Sequence, residues 1–585
     1  MLTARDGRDD LHHSLASLVD LLGHRAAEQP QDRAYAFLSE RGGEEAVLTF
    51  GELDRRARAL ASRLGGQAGN RALLLFQPGL DFIVAFFGCL LAGVIAVPLM
   101  VPRRANSRDA SSAIIADCSP RFAVTNVGLA VSRPDVIDRF RDADFEWVIL
   151  DPSADAPRTA IDATAESGAY PVPGRADIAF LQYTSGSTSA PKGVMVSHGN
   201  LLENLEMIRL AFGNTRDSTY ASWVPLYHDM GLILNVLQSL YVGACCVLLS
   251  PGTFMQRPMT WLRTIHDYRA EVAGAPNFAF DLCVSRFREE QMRDLDLSCW
   301  KLAFNGAEPV RADTIERFAS TFGRYGFDAK AIYPCYGLAE ATLLVSGGCR
   351  GVGPVMRTVS RDALQRNQVI AATKDDDHQV LVGCGRRLVG ERIAIADSES
   401  QRKLAPCRIG EIWVSGPNVA QGYWKNAEAT KSLFQGSIDG EGDASWLRTG
   451  DLGFLDERGE LYVTGRIKDV IIIRGMNHYP QDIENTVQNC HPALSRHGGA
   501  AFALLDEDRE EKLVVVQEVE RAYWRRLETE EIVGCIREAI ANEHEISASE
   551  IVLIRPGSVP KTTSGKIQRN LTRMLWMQGV LEVLN

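Results

Sequence analysis

The uncharged run at residues 82–101 constrains the fold more than any other stretch of the sequence. It is long enough to span a bilayer, but Gly93 and Pro98 divide it. Residues 82–92 suit a buried helix and residues 94–97 suit a buried strand, so a helix–strand step inside an α/β core explains the same run. We favour this interpretation over a membrane span, which would bring the protein into the pellet after cell lysis.

Helices and short apolar strands alternate through the N-terminal part of the sequence. Residues 49–64 are an expected helix, in which Thr49 can cap the first turn and Glu52 can reach back to the cap. Residues 71–76 follow as an apolar strand. Such alternation predicts doubly wound, mostly parallel sheets. At 585 residues the chain exceeds what one hydrophobic core usually serves, so we expect at least two domains.

The composition excludes several classes of protein. The formal net charge is −11, whereas a broad nucleic-acid surface would be basic. The 12 cysteines include no Cys-x-x-Cys pair, so neither a zinc ribbon nor a disulfide framework is indicated. The N-terminal residues are polar and contain no signal-peptide core. We therefore expect a cytoplasmic protein with reduced thiols and no membrane span.

Residues 183–194, Tyr-Thr-Ser-Gly-Ser-Thr-Ser-Ala-Pro-Lys-Gly-Val, have the composition of a polyphosphate-binding loop and follow an apolar strand at residues 178–181. Glycine lets main-chain N–H groups approach a ligand, and hydroxyls and lysine donate to phosphate oxygens. The stretch is not a Walker A loop, because Pro191 replaces the second glycine and Gly193 follows the lysine. A flexible turn with a solvated lysine would have the same composition.

His228 and Asp229 directly follow a segment that Pro225 is expected to end as a strand. A lone histidine on a loop is most often structural. Asp229 leaves a second alternative open, since an acid beside a substrate pocket can pair with the ammonium group of an amino acid.

Two further motifs place glycines and polar residues after apolar strands. Gly306 and Ala307 belong to Asn-Gly-Ala-Glu-Pro, which by itself predicts a turn before a helix. Tyr336, Gly337 and Glu340 belong to Tyr-Gly-Leu-Ala-Glu-Ala-Thr. A tyrosine ring can stack against a purine and a carboxylate can hold Mg²⁺, although an ordinary helix start would also explain the string.

Three motifs in the C-terminal part carry charged candidates. Asp451 lies in Thr-Gly-Asp-Leu-Gly, where we expect a turn between strands; an Asx turn is the simpler explanation. Arg466 and Lys468 lie in Gly-Arg-Ile-Lys-Asp, before an apolar strand. Lys566 follows a glycine in the polar string Pro-Lys-Thr-Thr-Ser-Gly-Lys-Ile-Gln-Arg, and an exposed lysine is usually just solvated.

In their order along the chain, these motifs resemble those of the adenylate-forming enzymes: acyl-CoA synthetases, luciferases, peptide-synthetase adenylation domains and fatty acyl-AMP ligases. The string His-Asp-Met-Gly-Leu-Ile resembles the fatty acyl-AMP ligases in particular. The resemblance implies an α/β fold: a large N-terminal domain with doubly wound, mostly parallel sheets and a small β-barrel-like subdomain, and a small, mobile α+β C-terminal domain. It implies a boundary between residues 1–465 and residues 471–585, with a hinge at residues 466–470.

The resemblance also implies roles for the matched residues. Lys566 would be the catalytic lysine, assisted by Arg466 and His228. Lys468 would be the hinge residue, and Glu340 the metal ligand. The implied ATP- and AMP-binding residues are Thr184, Ser185, Gly186, Ser187, Thr188, Lys192, Gly306, Ala307, Tyr336, Gly337, Asp451, Arg466 and Lys566. The implied acyl pocket consists of His228, Asp229, Met230, Gly231 and Ile233.

Residues 343–385 form a long segment between two motif-bearing regions. A solvated connection is one explanation, but loops beyond about 12–15 residues usually carry function or are disordered. Fatty acyl-AMP ligases have an insertion at the corresponding place, relative to acyl-CoA synthetases. There the insertion restrains the C-terminal domain and is associated with poor use of free coenzyme A.

The implied reaction is ATP- and Mg²⁺-dependent activation of a fatty acid to an acyl-adenylate, followed by transfer to the phosphopantetheine thiol of a separate acyl carrier protein. A fatty carboxylate is already ionised at neutral pH, so the site needs no general base. It must align two anions and offset the developing charge. The alternatives are a fatty acyl-CoA synthetase, an amino-acid adenylating enzyme and a non-catalytic sensor; the presence of Lys566, Glu340 and Asp451 disfavours the sensor.

Overall fold

The computed structural model describes residues 9–102, 111–140, 143–151, 172–184, 191–373, 377–442, 445–505, 511–525, 528–562 and 565–584. The strands of the large domain are β1 (Arg33–Leu38), β2 (Glu44–Thr49), β3 (Arg71–Leu75), β4 (Ile95–Leu99), β5 (Phe122–Asn126), β6 (Glu146–Leu150), β7 (Ile178–Thr184), β8 (Lys192–Ser197), β9 (Thr219–Ser222), β10 (Cys245–Leu248), β11 (Val272–Gly274), β12 (Leu302–Asn305), β13 (Ile332–Gly337), β14 (Leu344–Gly347), β15 (Met356–Ser360), β16 (His378–Val382), β17 (Arg386–Arg387), β18 (Arg392–Ala396), β19 (Gly410–Ser415), β20 (Leu447–Leu455) and β21 (Leu461–Arg466). Its α-helices are α1 (Asp9–Ser14), α2 (Leu18–Glu28), α3 (Phe50–Leu64), α4 (Asp81–Leu91), α5 (Ser111–Cys118), α6 (Val127–Ser132), α7 (Pro134–Arg139), α8 (His198–Phe212), α9 (Gln238–Val242), α10 (Pro251–Gln256), α11 (Met259–Asp267), α12 (Asn277–Arg286), α13 (Ala312–Phe322), α14 (Arg361–Gln365) and α15 (Ala427–Phe434).

Two large sheets form the centre of the domain. Across the described ranges, one sheet has the strand order β6-β5-β3-β4-β7-β8 and is parallel except for the β7–β8 pair. The other has the order β17-β14-β13-β12-β11-β9-β10-β1-β2 and is parallel from β13 to β1, with antiparallel strands at both ends. The predicted doubly wound, mostly parallel architecture is confirmed.

The uncharged run at residues 82–101 is the predicted helix–strand step. Helix α4 is buried from Phe82 to Leu91, and β4 pairs in parallel with β3 and β7. Gly93 turns the chain between them with a φ of 69°, a left-handed conformation that favours glycine. None of the described helices combines the length and the apolar character that a bilayer crossing requires.

A smaller sheet, with four strands in the described residues, occurs where the sequence predicted a small β-barrel-like subdomain. Its strands are antiparallel in the order β18-β19-β20-β21, and Trp413 and Trp446 fill its own apolar cluster. Asp451 lies inside β20 and pairs with Arg466 at the end of β21. The prediction that Asp451 occupies a turn between strands is therefore wrong: Gly450, with a φ of 71°, precedes it within a continuous strand.

The chain beyond β21 continues as a short 3₁₀ helix, Ile467–Asp469, and then as a small α+β domain. The elements of this small domain are β22 (Ile471–Ile473), β23 (Met476–His478), α16 (Pro480–Cys490), β24 (Leu494–Leu505), β25 (Glu511–Val519), α17 (Thr529–His544), β26 (Ala548–Ile554) and α18 (Arg569–Met577). Strands β24, β25 and β26 form a sheet with apolar clusters on both faces. One face of α17, formed by Ile532, Ile536 and Ile540, is buried in one of these clusters.

In its described residues, the segment at residues 343–385 contains a helix and strands rather than being only a solvated connection. It contributes β14 to a large sheet and then forms the hairpin β15–β16 and the short helix α14. The hairpin pairs from Met356 opposite Val382 to Ser360 opposite His378. Residues 374–376 of this segment lie outside the described residues.

Candidate active site

Strands β7 and β8 hold the two ends of the predicted phosphate loop side by side. They are antiparallel, with Tyr183 opposite Gly193 and Thr184 opposite Lys192. An added Cβ at Gly193 would lie 2.8 Å from Cζ of Tyr183, so the Tyr183 ring packs directly against this glycine. The predicted phosphate ligands Ser185, Gly186, Ser187 and Thr188 and the side chain of Thr184 lie outside the described residues.

Tyr423 connects the predicted phosphate-binding lysine to the predicted metal ligand. The ammonium Nζ of Lys192 lies 4.9 Å from the centre of the Tyr423 ring, a cation–π contact. The hydroxyl Oη of Tyr423 donates to Oε1 of Glu340 at 2.8 Å. Burial and the neighbouring Glu340 carboxylate raise the pKa of Tyr423, so its hydroxyl remains a donor. Tyr423 is not among the residues predicted from the sequence. The sequence feature next to it is Gly422, which has a φ of 124° in the structure, a conformation that favours glycine.

The turn that carries Glu340 is fixed from a different part of the domain. The turn is a 3₁₀ helix, Ala339–Ala341, followed by Thr342 with a φ of 66°. Thr342 Oγ1 donates to the carbonyl of Asn418 at 2.6 Å. Asn418 Nδ2 in turn donates to Oε1 of Glu391 at 2.9 Å and to the carbonyl of Ala341 at 3.3 Å. A left-handed threonine is unfavourable, so these contacts hold the turn in a conformation that it would not otherwise adopt.

Glu391 is a fully buried acid in this support. Its exposure is 0%, and burial raises the pKa of its carboxyl well above the ordinary value, while the hydrogen bond from Asn418 opposes the shift. Within the part of the chain that the structure describes, Oε2 of Glu391 and Oδ1 of Asn418 have no hydrogen-bond partner. Such surroundings favour the neutral form of the carboxyl over the charged form.

Glu340 suits a Mg²⁺ ion that is shared with a nucleotide. Within the described ranges no group of three or more metal-binding side chains occurs. Mg²⁺ is usually bound by one or two carboxylates together with substrate phosphates and water, rather than by an all-protein cage. A single carboxylate near Lys192 and the ends of the phosphate loop fits that pattern.

Asp451 binds the side chains predicted to contact the nucleotide. The hydroxyl of Tyr336 donates to Oδ2 of Asp451 at 2.9 Å, and Nε of Arg466 donates to Oδ1 at 2.7 Å. The Asp451 carboxylate raises the pKa of Arg466, although partial burial opposes this. Gly337 cannot be replaced here, since a Cβ would lie 1.8 Å from the carbonyl oxygen of Leu343.

Gly306 and Ala307 follow β12 as the predicted turn. A Cβ at Gly306 would lie 2.8 Å from the carbonyl oxygen of Cys335 on β13. Ala307 has a φ of 71°, an uncommon conformation for a residue with a side chain. The turn therefore brings main-chain groups close to the end of β13, where Tyr336 lies.

His228 and Asp229 lie in contact at the start of a π-helix, Met230–Leu237. Nδ1 of His228 lies 2.7 Å from Oδ1 of Asp229, which also accepts from the main-chain N–H of Met230 at 2.7 Å. Burial acts to raise the pKa of Asp229, but the charge and hydrogen bond of His228, followed by the charge of Lys566, outweigh it and lower the pKa to about 2. Asp229 is therefore ionised at neutral pH.

The remaining predicted acyl-pocket residues lie in the π-helix itself. Met230, Gly231 and Ile233 are buried. Gly231 packs directly on the preceding turn, because an added Cβ would lie 2.1 Å from the carbonyl oxygen of Pro225. π-Helical segments are rare in proteins, and those that occur often lie at functional sites.

Lys566 reaches the large domain from the small one. Its backbone N–H donates to Oγ1 of Thr562 at 3.0 Å within a tight loop. The neighbouring Gly565 has a φ of 85°, and a Cβ there would lie 2.6 Å from Cε1 of Phe278 on α12. Burial lowers the pKa of Lys566; the negative charge of Asp229 opposes this shift, whereas the positive charge of Arg466 adds to it. The structure thus brings together the predicted residues Lys566, Asp229 and Arg466 from distant parts of the chain.

An apolar cavity of about 390 Å³ lies beside this site, between the two large sheets. Phe37 and Leu248 line it from one sheet, Phe76 and Leu99 line it from the other, and Tyr227, the residue before His228, also contributes. None of the five predicted acyl-pocket residues lines this cavity. The acyl-pocket assignment stays a prediction.

Lys468, the predicted hinge residue, is exposed, and the residue after it is bound to the small domain. Lys468 lies in the 3₁₀ helix Ile467–Asp469. The next residue, Asp469, accepts from Nη1 of Arg569 at 3.2 Å, and the same arginine donates to both oxygens of Glu484. Lys468 as the pivot stays a prediction.

A family model described as AMP-binding enzyme matches residues 22–424. The chain belongs to the AMP-binding enzyme family. A second model, described as the AMP domain of Disco-interacting protein 2-like proteins, matches residues 468–585. The first match lies in the large domain of this AMP-binding enzyme and the second in its small domain, and residues 425–467 lie between the two matches.

Close relatives identify the branch of the family. The medium-chain-fatty-acid–[acyl-carrier-protein] ligase JamA of Moorena producens is 43% identical over 97% of this chain and 96% of its own. The ligase of the same description, TtuA, of Teredinibacter turnerae is 35% identical over 95% and 93%. The crystal structure of the fatty acyl-adenylate ligase from L. pneumophila, in complex with acyl adenylate and pyrophosphate, is 39% identical over 98% of both chains with a TM-score of 0.74. The AMP-binding enzyme is therefore similar throughout to fatty acyl-AMP ligases, and the predicted resemblance is confirmed.

Proposed function

We propose that this AMP-binding enzyme activates a fatty acid with ATP to form an acyl-adenylate and pyrophosphate, and then transfers the acyl group to the phosphopantetheine thiol of a separate acyl carrier protein. The supporting observation is that the residue before Lys566, Gly565 of the small domain, packs against Phe278 of the large domain, and that Lys566 lies within electrostatic range of Asp229 and Arg466. The relatives named as ligases that act on acyl carrier protein support the acceptor.

In the first step a carboxylate oxygen of the fatty acid attacks the α-phosphorus of ATP. A new O–P bond forms and the bond to pyrophosphate breaks. Both reactants are anions, so the site must hold them in line while cations offset the charge that develops. Lys566 and Arg466 would supply charge at the reacting oxygens and Lys192 at the phosphates. Mg²⁺, held by Glu340 together with phosphate oxygens, would neutralise further negative charge.

In the second step the thiol sulfur attacks the acyl carbonyl carbon. A C–S bond forms, the thiol proton is released to solvent, the C–O bond to AMP breaks, and AMP leaves. The arm needs the space that Lys566 occupies, so the small domain has to rotate. We place the boundary at residues 466–470 with Lys468 as the pivot, because the separate apolar core of the small domain begins at Ile471.

Contacts from the segment at residues 343–385 support the carrier protein over free coenzyme A. Nδ2 of Asn477 in the small domain donates to the carbonyl of Gln365 at 3.2 Å and to Oδ1 of Asn367 at 3.1 Å. Arg361 on α14 lies 4.0 Å from Glu543 on α17. These contacts would restrain rotation of the small domain, as the insertion of fatty acyl-AMP ligases does.

The pairing of Asp229 disfavours an amino-acid substrate. Its carboxylate already has His228 and the Met230 N–H as partners and faces the charge of Lys566. An ammonium group would therefore meet an acid whose charge is already offset. A fatty acid makes no such demand on the site.

Product analysis tests this proposal. The protein is incubated with ATP, Mg²⁺ and a mixture of fatty acids, alone, with coenzyme A or with a phosphopantetheinylated carrier protein, and the products are identified by mass. We expect acyl-adenylate in all three incubations, carrier protein acylated on its phosphopantetheine thiol in the third, and little acyl-CoA in the second. Efficient acyl-CoA formation would favour the acyl-CoA synthetase alternative.

Separate half-reactions test the role of Lys566. Lys566→Ala should lower pyrophosphate release by roughly a hundredfold or more, but should leave transfer from preformed acyl-adenylate nearly unchanged. Lys561→Ala, at an exposed lysine of the same segment, is the matched control. Equal losses in both half-reactions would contradict the proposed alternation between two domain orientations.

A further inference from the structure

A buried carboxylate of the large domain accepts hydrogen bonds from both domains. Asp281 on α12 is 5% exposed. Its Oδ1 accepts from Nη2 of Arg317 at 2.5 Å, and its Oδ2 accepts from Oγ1 of Thr314 at 2.9 Å, both from α13. The third partner comes from the small domain: Nε2 of His497 lies 2.6 Å from the same Oδ2. Burial acts to raise the pKa of Asp281, but these partners, His497 first, outweigh it and lower the pKa, so the carboxylate is the acceptor.

The small domain aims His497 by an irregularity in its first long strand. The pairing of β24 with β25 is interrupted between Leu494 and Gly499. Within that interruption His497 has a φ of 55°, in the left-handed region that is unfavourable for a residue with a side chain. Its backbone N–H donates to the buried Oε1 of Gln488 at 2.7 Å. Interruptions of this kind redirect side chains, and this one turns the imidazole toward the large domain.

Helix α12 receives both His497 and the loop of Lys566. Phe278 precedes Asp281 by three residues, so the two side chains share one face of the helix. Phe278 lies against the lysine loop, since a Cβ on Gly565 would come within 2.6 Å of its Cε1. The contact of His497 with Asp281 therefore fixes the small domain one helical turn away from the point where Lys566 is delivered.

Neighbouring contacts between the domains are longer or more exposed. Arg496 lies 3.9 Å from Asp313, with 44% of its side chain exposed, and Nη1 of Arg311 donates to Asn485 at 3.5 Å. Exposed ion pairs at such distances contribute little. By contrast, the His497 side chain is 14% exposed and its distance to the carboxylate is short. Among these polar contacts, that of His497 has the geometry of a strong charge-assisted hydrogen bond.

We propose that His497 is a positioning residue for adenylation: its bond to Asp281 holds the small domain in the orientation that delivers Lys566, and it breaks before the thiol-transfer step. When it breaks, Asp281 keeps Arg317 and Thr314, so the buried carboxylate is not left unpaired. This bond therefore changes the relative free energy of the two domain orientations and contributes little to the stability of the large domain itself. This inference rests on the proposed two-step function.

The two half-reactions provide the test. His497→Ala should lower the rate of pyrophosphate release roughly tenfold or more, the order expected for one hydrogen bond to a charged group, with transfer from preformed acyl-adenylate unchanged. His497→Gln should restore much of the loss, because its amide nitrogen can take the place of Nε2, whereas the shorter His497→Asn should not. His491→Ala, in the same domain and bonded within it at Ala493, is the matched control and should leave both steps intact.

A double-mutant cycle identifies the partner. With Asp281→Asn as the first change, His497→Ala should cause little additional loss of pyrophosphate release. Parallel losses in both half-reactions, no loss of pyrophosphate release, or full additivity with Asp281→Asn would each overturn the proposal. If Lys566→Ala separates the half-reactions and His497→Ala does not, the inference fails and the proposed function stands; if neither separates them, the two-step function itself fails.

Discussion

Replacing Glu391 with glutamine should make the large domain increasingly more stable than the wild type as the pH rises. In the folded protein the buried carboxyl keeps its proton well above the ordinary pKa of 4.5, whereas the unfolded chain releases it there. The folded-state pKa is the raised one, so this stabilisation of the neutral acid is complete below pH 4.5 and is lost as the pH rises toward the folded pKa. Glutamine does not titrate, and its amide can still pair with Asn418.

The expected size follows from proton linkage. Between the two pKa values, each pH unit lowers the free energy of unfolding of the wild type by about 1.4 kcal/mol relative to Glu391→Gln, and the two proteins are compared from pH 5.5 to pH 7.5. Unfolding of a domain of roughly 460 residues has an entropy near 1 kcal/mol/K, so the difference in thermal midpoint should widen by roughly 1.4 °C for each pH unit below the folded pKa. The other titrating groups are common to both proteins and cancel.

Thermal unfolding of both proteins at constant ionic strength across this pH range measures the effect. Glu399→Gln, which changes an exposed glutamate of the same subdomain, is the matched control and should show no widening. A gap between wild type and Glu391→Gln that stays constant, or that narrows with rising pH, would refute the assignment of a neutral, buried acid at this position.

Three further predictions concern the site. Tyr423→Phe removes the hydroxyl that donates to Glu340, so the Mg²⁺ concentration for half-maximal pyrophosphate release should rise roughly tenfold; an unchanged titration curve would separate Tyr423 from metal binding. Replacing residues 356–382 with a short glycine–serine turn should raise acyl-CoA formation from free coenzyme A, measured by product mass, and a folded variant that gains none would rule out the restraining role. Gly565→Ala should lower pyrophosphate release at least tenfold, because the new Cβ lies 2.6 Å from Phe278 at a φ of 85°; additional truncation, Phe278→Ala, should recover part of it, and simple additivity would argue against this contact.

Features set by neighbouring residues were predictable from the sequence. The step from α4 to β4 and the cap of α3 by Thr49 follow from local apolar runs, glycine and a capping side chain. The resemblance carried by the order of the motifs indicated an α/β fold with a large and a small domain. The turn expected at Asp451 is absent, because the register of β20 with β21 places this residue within a strand.

Contacts between segments that are distant in the sequence could not be predicted, because no local sequence pattern marks the residues that make them. Tyr423 meets a carboxylate 83 positions away, and His497 meets one 216 positions away. Neither residue lies in a recognisable motif, and the value of each depends on which side chain the fold places opposite it. The same holds for Glu391. A glutamate is usually exposed, and nothing in the neighbouring sequence indicates that this one is completely buried.

Several described contacts between the domains are polar, including those of Asn477, Arg361 and His497. A polar interface between domains can separate without exposing a broad apolar surface, because each polar group then exchanges a protein hydrogen bond for one with water. The small domain can therefore dissociate from the large one and return on every turnover without promoting non-specific association with other proteins.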